Sequence, residues 1–173
     1  FCVNANNGNM LWKLKYIDIE KPMMGGDINP VTPLVKGNEI FITSGYNHTG
    51  LMLLMSDDYS SVTVKWKSDE LDVHHGGVVE HDGYIYGSNY TTIRTGNWLC
   101  LDWNTGELMY DQKWNNKGQV ITSNGMLICY EERKGNMALV KATPDKFDLI
   151  SEFTIEYGSR PHWSHPSIYQ GRL

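Results

Sequence analysis

With 173 residues, 40% apolar and 12% aromatic, the chain is long enough to bury a core and too apolar to remain disordered. A formal charge of −5, with its 15 Lys and Arg scattered along the sequence, gives no electrostatic footprint for a nucleic-acid backbone. The longest apolar run, Gly50 to Met55, is strand-sized and far short of a membrane-spanning helix.

The first element is a predicted hairpin, Ala5 to Lys13, reversing at Asn7-Gly8 and carrying Trp12 on its outgoing strand. The stretch around Ile17 to Asp27 has no counterpart later in the chain and reads as a loop insertion. A strand, short turn and strand follow over Pro33 to Ile42, with the turn at Lys36-Gly37-Asn38. Ser56 to Lys67 repeats the first hairpin in worn form, without its Gly, and places Trp66 where the first copy has Trp12. Val78 to Gly87 repeats the strand-turn-strand unit around Asp82-Gly83, and Leu101 to Tyr110 repeats the hairpin around Thr105-Gly106 with Tyr110 in the Trp position. Val120 to Cys129 turns at Asn124-Gly125, Ala142 to Ser151 is a second worn hairpin, and Pro166 to Leu173 is a shortened strand-turn-strand unit around Gly171.

The aligned turn positions Asn38, Gly83, Gly125 and Gly171 are spaced 45, 42 and 46 residues apart, the repeat length of four-stranded propeller blades. Strand-length segments alternate throughout and no sustained 3.6-residue period occurs, which excludes helical solenoids of similar repeat length. The expectation is an all-β chain: a β-propeller of four-stranded antiparallel blades, with about four blades present. Residues 1–173 form a single partial domain whose two ends fall within strands, and the remainder of a six- to eight-bladed ring is expected to lie outside them. The three cysteines match neither a disulfide framework nor a zinc pattern. Cys2 and Cys100 stand in similar local sequence and read as one buried strand slot used twice.

The turn-Gly-x-x-x-Trp-Lys unit (Asn7 to Lys13) followed by the Thr-Pro-Leu-Val-x-Gly strand (Thr32 to Gly37) resembles the PQQ-dehydrogenase-like propeller family. That family includes quinoprotein alcohol dehydrogenases, the lipoprotein scaffold of the outer-membrane β-barrel assembly machinery, and sensor domains of some bacterial kinases. The resemblance implies that Trp12, Trp66 and Tyr110 are structural aromatics wedged between neighbouring blades. Ser151 breaks the pattern, so Phe153 or Trp163 is expected to fill the last interface. Quinoprotein dehydrogenases would further imply PQQ on a Trp, calcium held by carboxylates, an Asp base and an adjacent cysteine pair. No Cys-Cys occurs and no carboxylate set matches, so no catalytic or metal-ligating residue is assigned and no cofactor is expected; PQQ and calcium rest on the resemblance alone.

The residues preceding each strand-turn-strand unit approach the central channel in a propeller. Alignment puts Asn29, His74, Asn116 and His162 in one slot and Pro30, His75, Lys117 and Trp163 in the next, with Asp27, Arg160 and His165 nearby in sequence. The channel candidates are therefore Asp27, Asn29, His74, His75, Lys117, Arg160, His162 and His165. Converging histidines could hold a metal or an anionic ligand, or could belong to an ordinary polar lining. Two sequons, Asn47-His48-Thr49 and Asn89-Tyr90-Thr91, mark exposed loops. The functional expectation is a non-catalytic binding or scaffold propeller, periplasmic or at the cell surface, engaging a protein or glycan through loops and channel mouth. The alternative is a PQQ- or metal-dependent oxidoreductase.

Overall fold

The computed structural model describes residues 1–19, 28–159 and 161–173; Asp27 and Arg160, both channel candidates, lie outside them. Among the described residues, β1 (Cys2–Val3) and β2 (Met10–Trp12) form a hairpin, and α1 (Tyr16–Ile19) is a single helical turn at the start of the predicted insertion. The first four-stranded sheet comprises β3 (Leu34–Lys36), β4 (Glu39–Ile42), β5 (Gly50–Met55) and β6 (Val62–Ser68). The second holds β7 (Val78–His81), β8 (Tyr84–Ser88), β9 (Trp98–Asp102) and β10 (Leu108–Gln112). The third holds β11 (Gly118–Ser123), β12 (Met126–Glu131), β13 (Asn136–Lys141) and β14 (Asp148–Thr154). Each sheet pairs its strands antiparallel in chain order.

The turn chemistry explains this meander. Asp82-Gly83 and Asn124-Gly125 hold both central residues at positive φ, the type I′ geometry whose twist matches the flanking strands. Gln170-Gly171 does the same between Tyr169 and Arg172, which form an isolated bridge where the shortened unit was expected.

The apolar cores lie between sheets rather than within them. In the second sheet, Ile85 pairs with Leu101 and faces Phe41, Met52, Leu71 and Val73 on one side. The neighbouring pair, Tyr86 and Cys100, faces Val120, Leu127, Cys129 and Val140 on the other. The period-two alternation of strands makes this possible, because consecutive side chains serve opposite neighbours.

All four outer strand pairs of the described residues contain a register shift, and in three of them the expected aromatic follows it. Cys2 pairs with Trp12, Met52 with Trp66 and Cys100 with Tyr110, while Leu11, Lys65 and Met109 are the bulged residues. In the third sheet Ser151 occupies the matching place, opposite Leu139 and after Ile150. A bulge shifts the facing by one residue and sharpens local twist, turning the next side chain toward the adjoining sheet. Trp66 reaches the second sheet, its ring 5.6 Å from Phe41 and its Nε1 donating to the Trp103 carbonyl at 3.0 Å. Tyr110 packs on the cluster of the third sheet, and Trp12 shares a cleft with Pro33, Val35, Ile40 and Leu53 of the first. These aromatics are half-buried. Phe153 is 58% exposed, and Trp163 packs on His75.

Cys100 and Cys129 are fully buried in one cluster, and burial pushes the Cys100 thiol up to about 12 and raises that of Cys129 further. Cys2 and Cys100 do share one strand slot, opposite Trp12 and Tyr110, but only Cys100 is fully buried there; Cys2 is half-buried. Among the described residues no helix is long and apolar enough to cross a membrane.

Candidate binding face

Antiparallel alternation sorts the connections between two ends of the sheets. The tight turns sit at one end. At the other are the loops β4–β5, β8–β9 and β12–β13 and the segments that return from each outer strand to the next inner strand. The aligned slot residues arrive on those return segments, and His74, Asn116 and His162 each meet the middle loop of the sheet just left. His74 crosses the β4–β5 loop, where a Cβ on Gly45 would lie 2.8 Å from its Cα. Asn116 donates through Nδ2 to the Arg94 carbonyl in the β8–β9 loop, and His162 donates its backbone N–H to the Glu132 carbonyl in the β12–β13 loop.

That shared geometry separates the histidines. The His74 ring packs on Tyr46, His75 and Tyr90, whereas His162 bonds through Nδ1 to the Tyr130 hydroxyl at 2.7 Å. His74 and His162 are therefore not brought together, and burial, with His75 and Lys117 adding to it, holds His74 down to about 4 rather than near its ordinary value. It is neutral at neutral pH and supplies no charge to attract an anion. His75 is lowered too, by burial first, with the Glu132 charge opposing.

The structure instead assembles a buried network around Lys117. Its ammonium is 3% exposed, donates to the Thr92 and Ile93 carbonyls, pairs with Glu132 at 2.9 Å and lies 5.2 Å from the centre of the Tyr90 ring. Asp72, 5% exposed, accepts from the backbone N–H groups of Asn47 and Tyr90, each at 2.9 Å, and so ties three loops. Burial is the largest influence on its carboxyl and raises it to about 6. Glu131 accepts from the Arg133 and Lys134 amides and from Asn136, fixing the β12–β13 loop.

His75 and His165 line a cleft of about 230 Å³ with Pro30, Val31, Gly77 and Val120, between the inner strands. The inner strands meet closely there: a Cβ on Gly76 would fall 1.8 Å from the Gly118 carbonyl oxygen. Asn29 is exposed at an adjoining cleft beside Tyr16 and Thr43. Sequence reasoning missed Asp72, Glu131 and Glu132, whose partners come from other loops. The sequon at Asn89 is not an exposed acceptor: its amide donates to the Glu70 carbonyl and its Oδ1 accepts from Asn97 N–H.

No protein-family model and no curated protein matches the chain. Solved structures do. A europium-containing methanol dehydrogenase is 17% identical with a TM-score of 0.56, over 69% of this chain and 23% of that one. BamB from Moraxella catarrhalis is 12% identical with a TM-score of 0.55, over 75% of this chain and 37% of that one. A structure of the nidogen/laminin complex is 11% identical with a TM-score of 0.51, over 71% of this chain and 45% of that one. The fold is a partial β-propeller. The likeness to the first two structures bears out the resemblance read from the turn-Gly-x-x-x-Trp repeats, and the chain spans less than half the length of each of these three structures.

A PQQ and calcium pair would need free carboxylates on the loop face. Among the described residues no three His, Cys, Asp or Glu come together to hold a metal ion. The buried carboxylates of this face, Asp72, Glu131 and Glu132, are committed to backbone amides or to Lys117. These three carboxylates are therefore not free to hold a calcium ion.

Proposed function

We propose that the chain is a non-catalytic binding or scaffold propeller, working in the periplasm or at the cell surface, that engages a protein or glycan through its loop face and inner-strand cleft. One observation carries the reading: buried polar groups lock the loop backbones while Ile93, Arg94, Arg133 and Trp163 stand exposed on them. A fixed backbone lowers the ordering cost of association, and Arg and Trp are the side chains that anchor interfaces most often. The placement outside the cytoplasm rests on the family resemblance.

Binding to peptide and glycan libraries tests the reading. Charge reversal at Arg94 combined with Trp163→Ala is expected to abolish retained ligands, and Lys146→Glu, at the opposite end, to leave them. Ligands lost only with the Lys146 variant would overturn it.

A further inference from the structure

Two clefts adjoin on the loop face and share Arg94 and Arg133. One, of about 430 Å³, is lined by Arg94, Lys113, Asn115, Arg133, Lys134 and Asn136, with no apolar side chain. The other adds Ile93, Pro161 and Trp163 to the same two arginines. We infer that this double cleft binds an acidic peptide segment of a partner protein, its carboxylates between Arg94 and Arg133 and an apolar residue on the Ile93 to Trp163 shelf.

The inference deepens the binding-propeller reading and rests on it. Among the described residues, none of the four cations has a carboxylate partner, in a chain whose other lysines repeatedly pair with Asp or Glu. Glu131, the one carboxylate lining the first cleft, is 1% exposed and both its oxygens are taken by amides, while Glu132 beside the second is paired with Lys117. The cations also stand on fixed backbone. Asn116 holds the Arg94 carbonyl at 2.6 Å, and Glu131 holds the amides of Arg133 and Lys134.

Guanidinium forks in fixed positions recognise carboxylates bidentately. A net charge of −5 makes this concentration of positive charge a local one, so it selects by complementarity rather than by bulk attraction. The shelf decides between acidic ligands. Ile93, 67% exposed, and Pro161 present aliphatic surface suited to an apolar side chain, which a peptide carries next to its acids and an acidic saccharide does not.

Fluorescence anisotropy with a fluorescein-labelled peptide of Asp and Glu ending in Phe tests this on the full chain. The peptide is expected to bind and to weaken with added salt. Arg94→Ala and Arg133→Ala should each weaken it about tenfold or more. Ile93→Ser should weaken the Phe peptide but not an all-acidic one, and Lys146→Ala should change nothing. Among the described residues neither arginine side chain has a hydrogen bond or ion pair, so melts matching the parent's are expected for these variants. Equal binding by the parent and the double arginine variant overturns the inference. So does tighter binding of a uronate oligosaccharide than of the peptide, although a saccharide lost on loop-face substitution would leave the broader reading standing. Binding of every probe unaffected by loop-face substitution would sink both.

Discussion

Trp66 lies so close to Gly106 that a Cβ on the glycine would stand 2.5 Å from the indole Cε3. The aromatic of one sheet and the turn of the next are thus fitted to each other, and the glycine also holds a φ of +74°. Gly106→Ala should destabilise the fold by at least about 2 kcal/mol, combining left-handed strain with overpacking. Gly8, at the same φ of +74° in the first hairpin, has nothing within 4 Å, so Gly8→Ala should cost only about 1 kcal/mol. Urea unfolding of both variants, and of Gly106→Ala in a Trp66→Ala background where the packing share disappears, checks the argument. Equal costs at Gly8 and Gly106 would contradict it.

The Lys117–Glu132 pair is buried on both sides, so removing one partner strands the other. Lys117→Met or Glu132→Leu alone should cost about 3 to 5 kcal/mol, whereas the double replacement should be far milder than their sum. A double-mutant cycle in denaturant reads the coupling. Additive losses would mean the two charges are not felt by each other.

Asp72 and His74 should give stability opposite slopes with pH. The Asp72 carboxyl is raised to about 6, so between its unfolded value near 3.8 and pH 6 the folded chain holds a proton the unfolded chain has released. Stability from this group therefore falls as pH rises through that window, by roughly 2 to 3 kcal/mol. His74, lowered to about 4, is neutral when folded while the unfolded imidazole charges below 6.5, so its contribution falls as pH drops through the same range. The parent profile should be shallow. Asp72→Asn should expose a loss on acidification, and His74→Gln a gain. Unfolding midpoints at pH 4.5, 5.5 and 6.5 decide it, and two variants sloping the same way would refute the assignment.

Two of the three thiols are core groups. Cys100 and Cys129 are held protonated by burial, and only Cys2 is partly exposed. A thiol reagent at pH 8 should modify one group in the folded chain and three after unfolding. Rapid native labelling of Cys100 would place it outside the core.

The fold was legible because turn chemistry is local. Asp82-Gly83 and Asn124-Gly125 announce their reversals within two residues, and their spacing carries the repeat. The bulge preceding each interface aromatic was not legible, since Leu11, Lys65 and Met109 share no residue type and only pairing reveals them. Site reasoning succeeded where it used position within the repeat: His74, Asn116 and His162 do occupy one slot. It gave no sign of how those positions part, because His74, Asn116 and His162 are each drawn toward the middle loop of the sheet behind them. The basic residues that look scattered in sequence, Arg94, Lys113, Arg133 and Lys134, are gathered by three different connections, and no linear window contains them.

Because each apolar cluster straddles two sheets, no sheet of this chain owns a core, and its units of cooperativity are the interfaces. The second sheet contributes to both clusters, so a lesion there loosens two contacts, while one in the third sheet's outer strand loosens none of them directly. Unfolding should therefore spread along the array from its flanks, as in a chain of nearest-neighbour couplings, with β8 and β9 the last amides to exchange.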